Sequence, residues 1–274
     1  MNFDRGLRRL RIIARPVPGL HDIAADLLTV GLRRVWWMAV RPLGLVAAFF
    51  VTDLQPWFRV ALAAAIMVST IALMHDLLHA SLGLRPRHND VALLLASAVI
   101  LEAGHVLQRT HRRHHRWFPD LDRDPEASFA RCGGVVRALA EGPIYRYRLW
   151  WWAWRHEPGA RRWIAVEVGL HVGAVLAAAS VRWPMFTTYV VLMVMGSWLF
   201  PVVSVLGVHD IGADRATQWT RSLHGRVLPR LIVNQGFHLE HHLWPAVPSA
   251  NLPELARRAE RFLQAERAPI AHVP

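Results

Sequence analysis

Long apolar runs alternate with stretches rich in arginine and histidine, and the lengths of the apolar runs set the architecture. Four of them, residues 35–51, 57–74, 163–181 and 185–208, approach or reach the ~20 residues a helix needs to cross the core of a bilayer. They fall into two hairpins, one turning through TDLQP and the other through VRWP, both short and punctuated by proline. The pattern predicts an all-α integral membrane protein with four transmembrane helices. A fifth run, VALLLASAVIL at residues 91–101, has only about half the spanning length. It predicts an interfacial, re-entrant or buried segment rather than a crossing.

Arginine placement orients the hairpins. Arg5, Arg8, Arg9, Arg11, Arg15, Arg33 and Arg34 precede the first run, and the segments 75–162 and 209–274 are also rich in arginine. The two turns hold only Arg182, with Arg59 just inside the second run. The positive-inside rule then places residues 1–34 at the cytoplasmic face or interface, and makes 75–162 and 209–274 a cytoplasmic cap. LWWWAWRHE, residues 149–157, predicts an aromatic belt entering the third run. The tail NLPELARRAERFLQAERA predicts a helix capped by Asn251, with Pro253 and Glu254 in its first turn. Leu252, Leu255, Ala259, Phe262 and Leu263 line one face of it. With no internal repeat or low-complexity linker, residues 1–274 read as a single domain.

Composition supports this picture. The chain is 53% hydrophobic and 19% charged, against roughly 25% charged in a soluble domain. Thirteen Trp against three Tyr suits the bilayer interface. The net charge of +12 is carried entirely by arginine, with no lysine. These arginines flank the apolar runs instead of forming a separate basic domain, which favours anionic lipid headgroups over nucleic acid. The single cysteine, Cys132, excludes an internal disulfide and a cysteine-based metal site. The N-terminal stretch is basic but has no long apolar core, so no cleavable signal peptide is expected.

Sixteen histidines are many for this length, and eight of them fall in three tight groups. HDLLH sets His75 and His79 four apart, just beyond the second run. HRRHH sets His111, His114 and His115 at i, i+3 and i+4, and HLEHH repeats that spacing with His238, His241 and His242. Each spacing puts its rings on one helical face. One such group alone is compatible with surface or capping histidines, whereas three together point to metal. Eight imidazoles exceed the three or four that a tetrahedral zinc takes. Imidazole also suits iron and copper, and two redox-active irons with about four histidines each, leaving positions for O2, fit the spacing best. A shared site also requires one membrane face. Had 91–101 crossed the bilayer, HRRHH would lie opposite HDLLH, so parity and length agree that it does not cross. Glu167 and His171, four apart in the third run, form an intramembrane ionisable pair. They read as a contact between helices, a lining of a substrate slot, or ligands of a metal carrier.

The order HxxxH, HxxHH, HxxHH with two hairpins between resembles the membrane fatty acid desaturase superfamily of integral-membrane di-iron enzymes. HDLLHASL, HRRHH…DLDRDPE and NQGFHLEHHLWPAVPSANLPEL carry the resemblance from about Leu43 to Leu255. It implies that His75, His79, His111, His114, His115, His238, His241 and His242 ligate two irons. Related enzymes often supply a ninth ligand near the cytoplasmic end of the last span, where His209 in VLGVHD falls. Asp76, Asp122, Asp124 and Glu240 would orient ligating rings through their second nitrogens, and Asn234 reads as an outer or water-mediated group or a helix cap. The implied chemistry is O2-dependent hydrogen abstraction from a lipid, ending in a double bond or an alcohol. No flavin or nicotinamide fingerprint is present, so electrons come from an external donor such as a ferredoxin or a reductase. HEPGA at His156 is similar to the haem motif of cytochrome b5, but its surroundings lack that domain. The superfamily default is acyl-chain desaturation. The short chain also fits a carotenoid hydroxylase or ketolase, and a non-enzymatic metal carrier is the reading from a different class. The expected location is a bacterial inner membrane, with the site on the cytoplasmic face.

Overall fold

The computed structural model describes residues 17–51, 53, 55–127, 134–202, 207–210 and 212–274. Cys132, the arginines up to Arg15 and part of the TDLQP turn lie outside the described residues. In chain order the elements are α1 (Leu20–Ala24), α2 (Leu32–Val51), α3 (Pro56–His79), α4 (Pro86–Ile100), α5 (Gly104–Trp117), α6 (Val135–His156), α7 (Arg161–Ser180) and α8 (Pro184–Pro201). There follow β1 (Ser222–His224), α9 (Leu228–Leu231), α10 (His238–Leu243), α11 (Leu252–Ala265) and β2 (Ile270–His272). The chain divides into two compact units, one of residues 30–207 and one of 17–29 with 208–274.

In the first unit α2, α3 and the segment Pro158–Ser180, which includes α7, are long and apolar enough to cross a membrane. Proline opens α3, α4 and α8, where the missing N–H costs no helical hydrogen bond. Of the fourth expected run, 185–208, the described part forms α8, whose apolar length is shorter than that of the three candidate spans. The second run does not stop at residue 74. α3 continues through His79 and closes on Ala80, in the left-handed conformation, whose N–H donates to Leu77 O. HDLLH is therefore the last stretch of the same helix, α3. LWWWAWRHE likewise belongs to the end of α6, ahead of the turn that leads into α7.

The apolar run 91–101 lies within α4, which breaks at Leu101–Ala103 into α5 at an angle of 107°. Such a bend is the geometry of a re-entrant loop or broken span. α4 and α5 both pack on α3, and α7 packs against both of them. Outward-facing side chains on the apolar helices, among them Trp36, Trp37, Leu43, Val60, Leu170 and Leu176, are exposed. Apolar surface of that extent on these helices suits hydrocarbon rather than water.

The second unit is built on a core of Phe237, Leu239, Trp244, Val247, Leu252 and Leu255 with Ala24 and Leu27. The tail helix forms as expected, as α11, with Leu252, Leu255, Ala259 and Leu263 buried and Phe262 packed at the margin. Asn251 takes the N-cap position but makes no side-chain cap hydrogen bond. Its Nδ2 donates instead to Leu27 O (2.8 Å) and Thr29 O (3.0 Å), tying the helix start to the segment after α1. β1 and β2 pair in parallel, Ser222 with Ile270 and His224 with His272, a small departure from an all-α fold. Strands of three residues are too short to show a two-residue alternation in the sequence.

Candidate metal centre

Five of the eight box histidines belong to the first unit. His75 and His79 project from one face of α3, and His111, His114 and His115 from α5, which packs beside it. The His75, His79 and His111 rings stand 5.1–5.3 Å apart by centroid. Their ligand nitrogens lie within 4.8 Å of one another. The His115 ring sits 4.7 Å from both His79 and His111, with its Nε2 3.2 Å from His111 Nε2.

Two carboxylates from the turn after α5 fix these rings. His114 Nδ1–H donates to Asp124 Oδ2 at 2.6 Å, and His111 Nδ1–H donates to Glu126 Oε2 at 3.2 Å. Spending Nδ1–H on a carboxylate selects the tautomer that leaves Nε2 as a lone-pair donor. Asp124 is itself held by the Glu126 backbone N–H (2.8 Å), and Thr110 Oγ1–H donates to Glu126 Oε1 (2.8 Å). Burial would raise the Glu126 carboxyl, but the neighbouring His111 and His114 imidazoles and the Thr110 hydroxyl hold it at about 2. It stays ionised. Asp76 is buried and lies 3.4 Å from the Ser81 hydroxyl, which can donate to it, whereas Asp122 is exposed.

The second unit carries the remaining group. α10 presents His238, His241 and His242, and His209 joins them from a segment fixed by its bridge to Thr220. His209 Nε2 lies 3.2 Å from both His238 Nε2 and His242 Nε2, and the His238 and His242 rings are 4.5 Å apart. Glu240, fully buried between these histidines in the chain, accepts hydrogen bonds from the Ser222 hydroxyl and from His224 Nε2–H (2.7 Å). Ser222 Oγ in turn accepts from the Leu239 N–H (3.0 Å), so β1 holds the first turn of α10. Asn234 adopts a left-handed conformation (φ 62°) and donates from Nδ2 to Ser249 O at 3.2 Å.

The donor chemistry fits a metal. Neutral imidazoles offer one lone pair each, and one proton can satisfy only one close nitrogen pair. Around His209 Nε2 two further ring nitrogens converge at 3.2 Å, and a single cation satisfies all three at once. Histidine-only donor sets suit iron, copper or zinc. Among the residues that sequence reasoning did not single out, Glu126, Thr110, Ser222 and His224 hold histidine-bearing parts of the chain. Glu126 alone left a signal, as the last residue of DLDRDPE.

Glu167 and His171 do not pair with each other. Both are buried, and each bonds to the corner between α4 and α5.

Comparison with curated proteins finds no match for the chain. The family model described as fatty acid desaturase matches residues 54–274, a span that holds all three histidine boxes. Histidine groups fit to hold metal, on helices apolar enough to span a membrane, are joined to a match over most of the sequence. The chain belongs to the fatty acid desaturase family.

Proposed function

We propose that this protein introduces a double bond into a fatty acyl chain, with O2 as co-substrate and two iron ions as cofactor. Family membership makes it a membrane oxidoreductase of lipid metabolism. The observation that supports the finer reading is the pairing of His111 and His114 with ionisable carboxylates, which aims ring nitrogens outward as ligands. In this reading His75, His79, His111, His114, His115, His238, His241 and His242 hold the irons, with His209 as a ninth ligand. Asp124 supports a ring directly, and Asp76, Asp122, Asn234 and Glu240 support the ligand-bearing segments.

Iron at these histidines supplies O2 activation for the cleavage of an unactivated C–H bond. Loss of two hydrogens from the acyl chain, with two electrons and two protons from outside, reduces O2 to two waters. The electrons come from an external donor such as a ferredoxin or a reductase. The protein's own residues orient the rings and exclude competing chemistry. The site faces the cytoplasm in a bacterial inner membrane, and residues 1–274 act as one domain.

Lipid extracts of cells expressing the wild type and His241→Ala, with and without a carotenoid pathway, test this by mass spectrometry. The expected result is a new acyl double bond that the variant abolishes. Oxygenated carotenoid with no new acyl double bond overturns the acyl reading in favour of hydroxylation or ketolation. Product that persists in His241→Ala overturns the ligand assignment.

A further inference from the structure

We infer that Glu167 and His171 are positioning residues that clamp the corner between α4 and α5 and so set the helix that carries His111, His114 and His115. The inference rests on the reading of those histidines as ligands. A break between two helices strands the last carbonyls of one and the first N–H groups of the other, and apolar surroundings offer no water to satisfy them. Here α4 ends at Leu101, which takes the left-handed conformation (φ 54°), and α5 starts without a side-chain cap of its own.

α7 supplies both missing partners. The His105 backbone N–H, in the first turn of α5, donates to Glu167 Oε2 (3.0 Å) and Oε1 (3.2 Å). The His105 ring adds Nδ1–H to Glu167 Oε1 at 2.7 Å and stacks on Trp163 at 4.6 Å. One turn further along α7, His171 Nδ1, which Arg146 Nη1 of α6 approaches at 3.3 Å, bonds to Leu101 O at 2.9 Å, at the end of α4. A carboxylate thus sits at the positive end of α5 and an imidazole N–H at the negative end of α4, each matched to its helix dipole. The four-residue spacing that drew attention in the sequence is what puts both on one face of α7.

The rest of the corner is built to the same end. Gly104 N–H donates to Ser97 Oγ (3.0 Å), which lies 3.1 Å from Glu167 Oε1. A Cβ at Gly104 would come within 2.3 Å of Ser97 Oγ and 2.8 Å of Leu93 Cδ1, so any larger residue would displace these side chains. Glu102, in the break itself, is held by Arg146 of α6. Glu167, His171 and His105 are all at most 4% exposed, and a carboxylate so buried is tolerable only with its acceptors filled. α5 is one continuous helix, and His111 lies about 9 Å along it from His105 at ~1.5 Å per residue. A rotation at its first turn therefore swings every ring of the second box.

The test compares wild type, Glu167→Ala, Glu167→Gln, His171→Ala and His171→Gln, purified in nanodiscs. It measures iron per chain, the d–d absorption of cobalt(II)-loaded protein, and hydrogen exchange of the α5 amides. Glu167→Ala is expected to lose at least half its iron, to shift the cobalt bands, and to speed exchange at residues 105–110 at least about tenfold. Glu167→Gln, which keeps a carbonyl acceptor for the His105 N–H, is expected to recover most of the iron. A Glu167→Ala protein with wild-type iron content and cobalt spectrum overturns the inference, even if it melts earlier. Should Glu167→Ala lose its helicity, His171→Ala decides the matter, and wild-type iron content with unchanged cobalt bands in it overturns the inference. A wild type that takes up neither iron nor cobalt overturns the metal reading itself. The exchange data then still judge the clamp, with unchanged α5 protection in the alanine variants counting against it.

Discussion

At His114 a single buried contact decides what the ring can do. Its Nδ1–H is spent on Asp124 at 2.6 Å, which fixes ring orientation and leaves Nε2 to bind. Asp124→Ala removes the acceptor while leaving the ring in place, and it should weaken iron or cobalt binding about 10–100-fold, read by competition titration. Asp124→Asn keeps one carbonyl acceptor and should lose less. The sequence marked Asp124 but passed over Glu126 two residues on, although Glu126 makes the same contact to His111. Which acid of DLDRDPE turns back to a ring depends on the path of the turn after α5, and no residue spacing encodes that path.

Single elements show where local rules hold and where they yield. α11 is legible because its apolar positions recur at helical spacing, and they are the buried ones. The role of Asn251 was not legible, because its carbonyl partners at Leu27 and Thr29 lie far away in the chain. α11 is also tied down by Arg258, which pairs with Asp26 and Glu254. Hydrogen bonds from Arg257 and Arg258 hold Glu254 at about 2, and the Arg258 guanidinium lowers Asp26 as well. Carboxyls depressed in the folded state contribute stability that is present above their usual range near 4 and lost as pH falls towards 2. Asp26 is exposed and Glu254 partly exposed, so the effect is small. Hydrogen exchange should show the α1–α11 contact loosening as pH falls from about 4 towards 2, and Arg258→Ala should remove that pH dependence. At the corner before α5, Gly104→Ala should destabilise the protein by about 1–3 kcal/mol through overpacking, seen as a lower thermal midpoint.

At the scale of the whole molecule, the bend of 107° between α4 and α5 matters most, because a straight crossing would part the first two histidine boxes. Arg87→Cys and Arg123→Cys, each in a Cys132→Ser background, place a thiol in the first turn of α4 and after α5. In oriented membrane vesicles an impermeant thiol reagent should label both from the same side. Labelling from opposite sides would contradict a re-entrant segment. Mössbauer spectra of purified protein should show an antiferromagnetically coupled iron pair, and zinc alone or no metal would remove the case for an O2-dependent enzyme.

The sequence by itself determined the apolar runs, the three histidine boxes with their helical faces, and the family they belong to. Those are properties of composition and short-range periodicity, which a helix converts directly into shared faces. Only the tertiary structure decided that α3 runs on through His79, that Glu126 as well as Asp124 supports a ring, and that Glu167 and His171 serve opposite ends of one corner. Glu167 meets His105 across 62 residues of chain, and His171 meets Leu101 across 70. Contacts of that separation arise from how α7 packs on α4 and α5, and hydrogen-bond demand at a helix break becomes visible only once the break has a place in space.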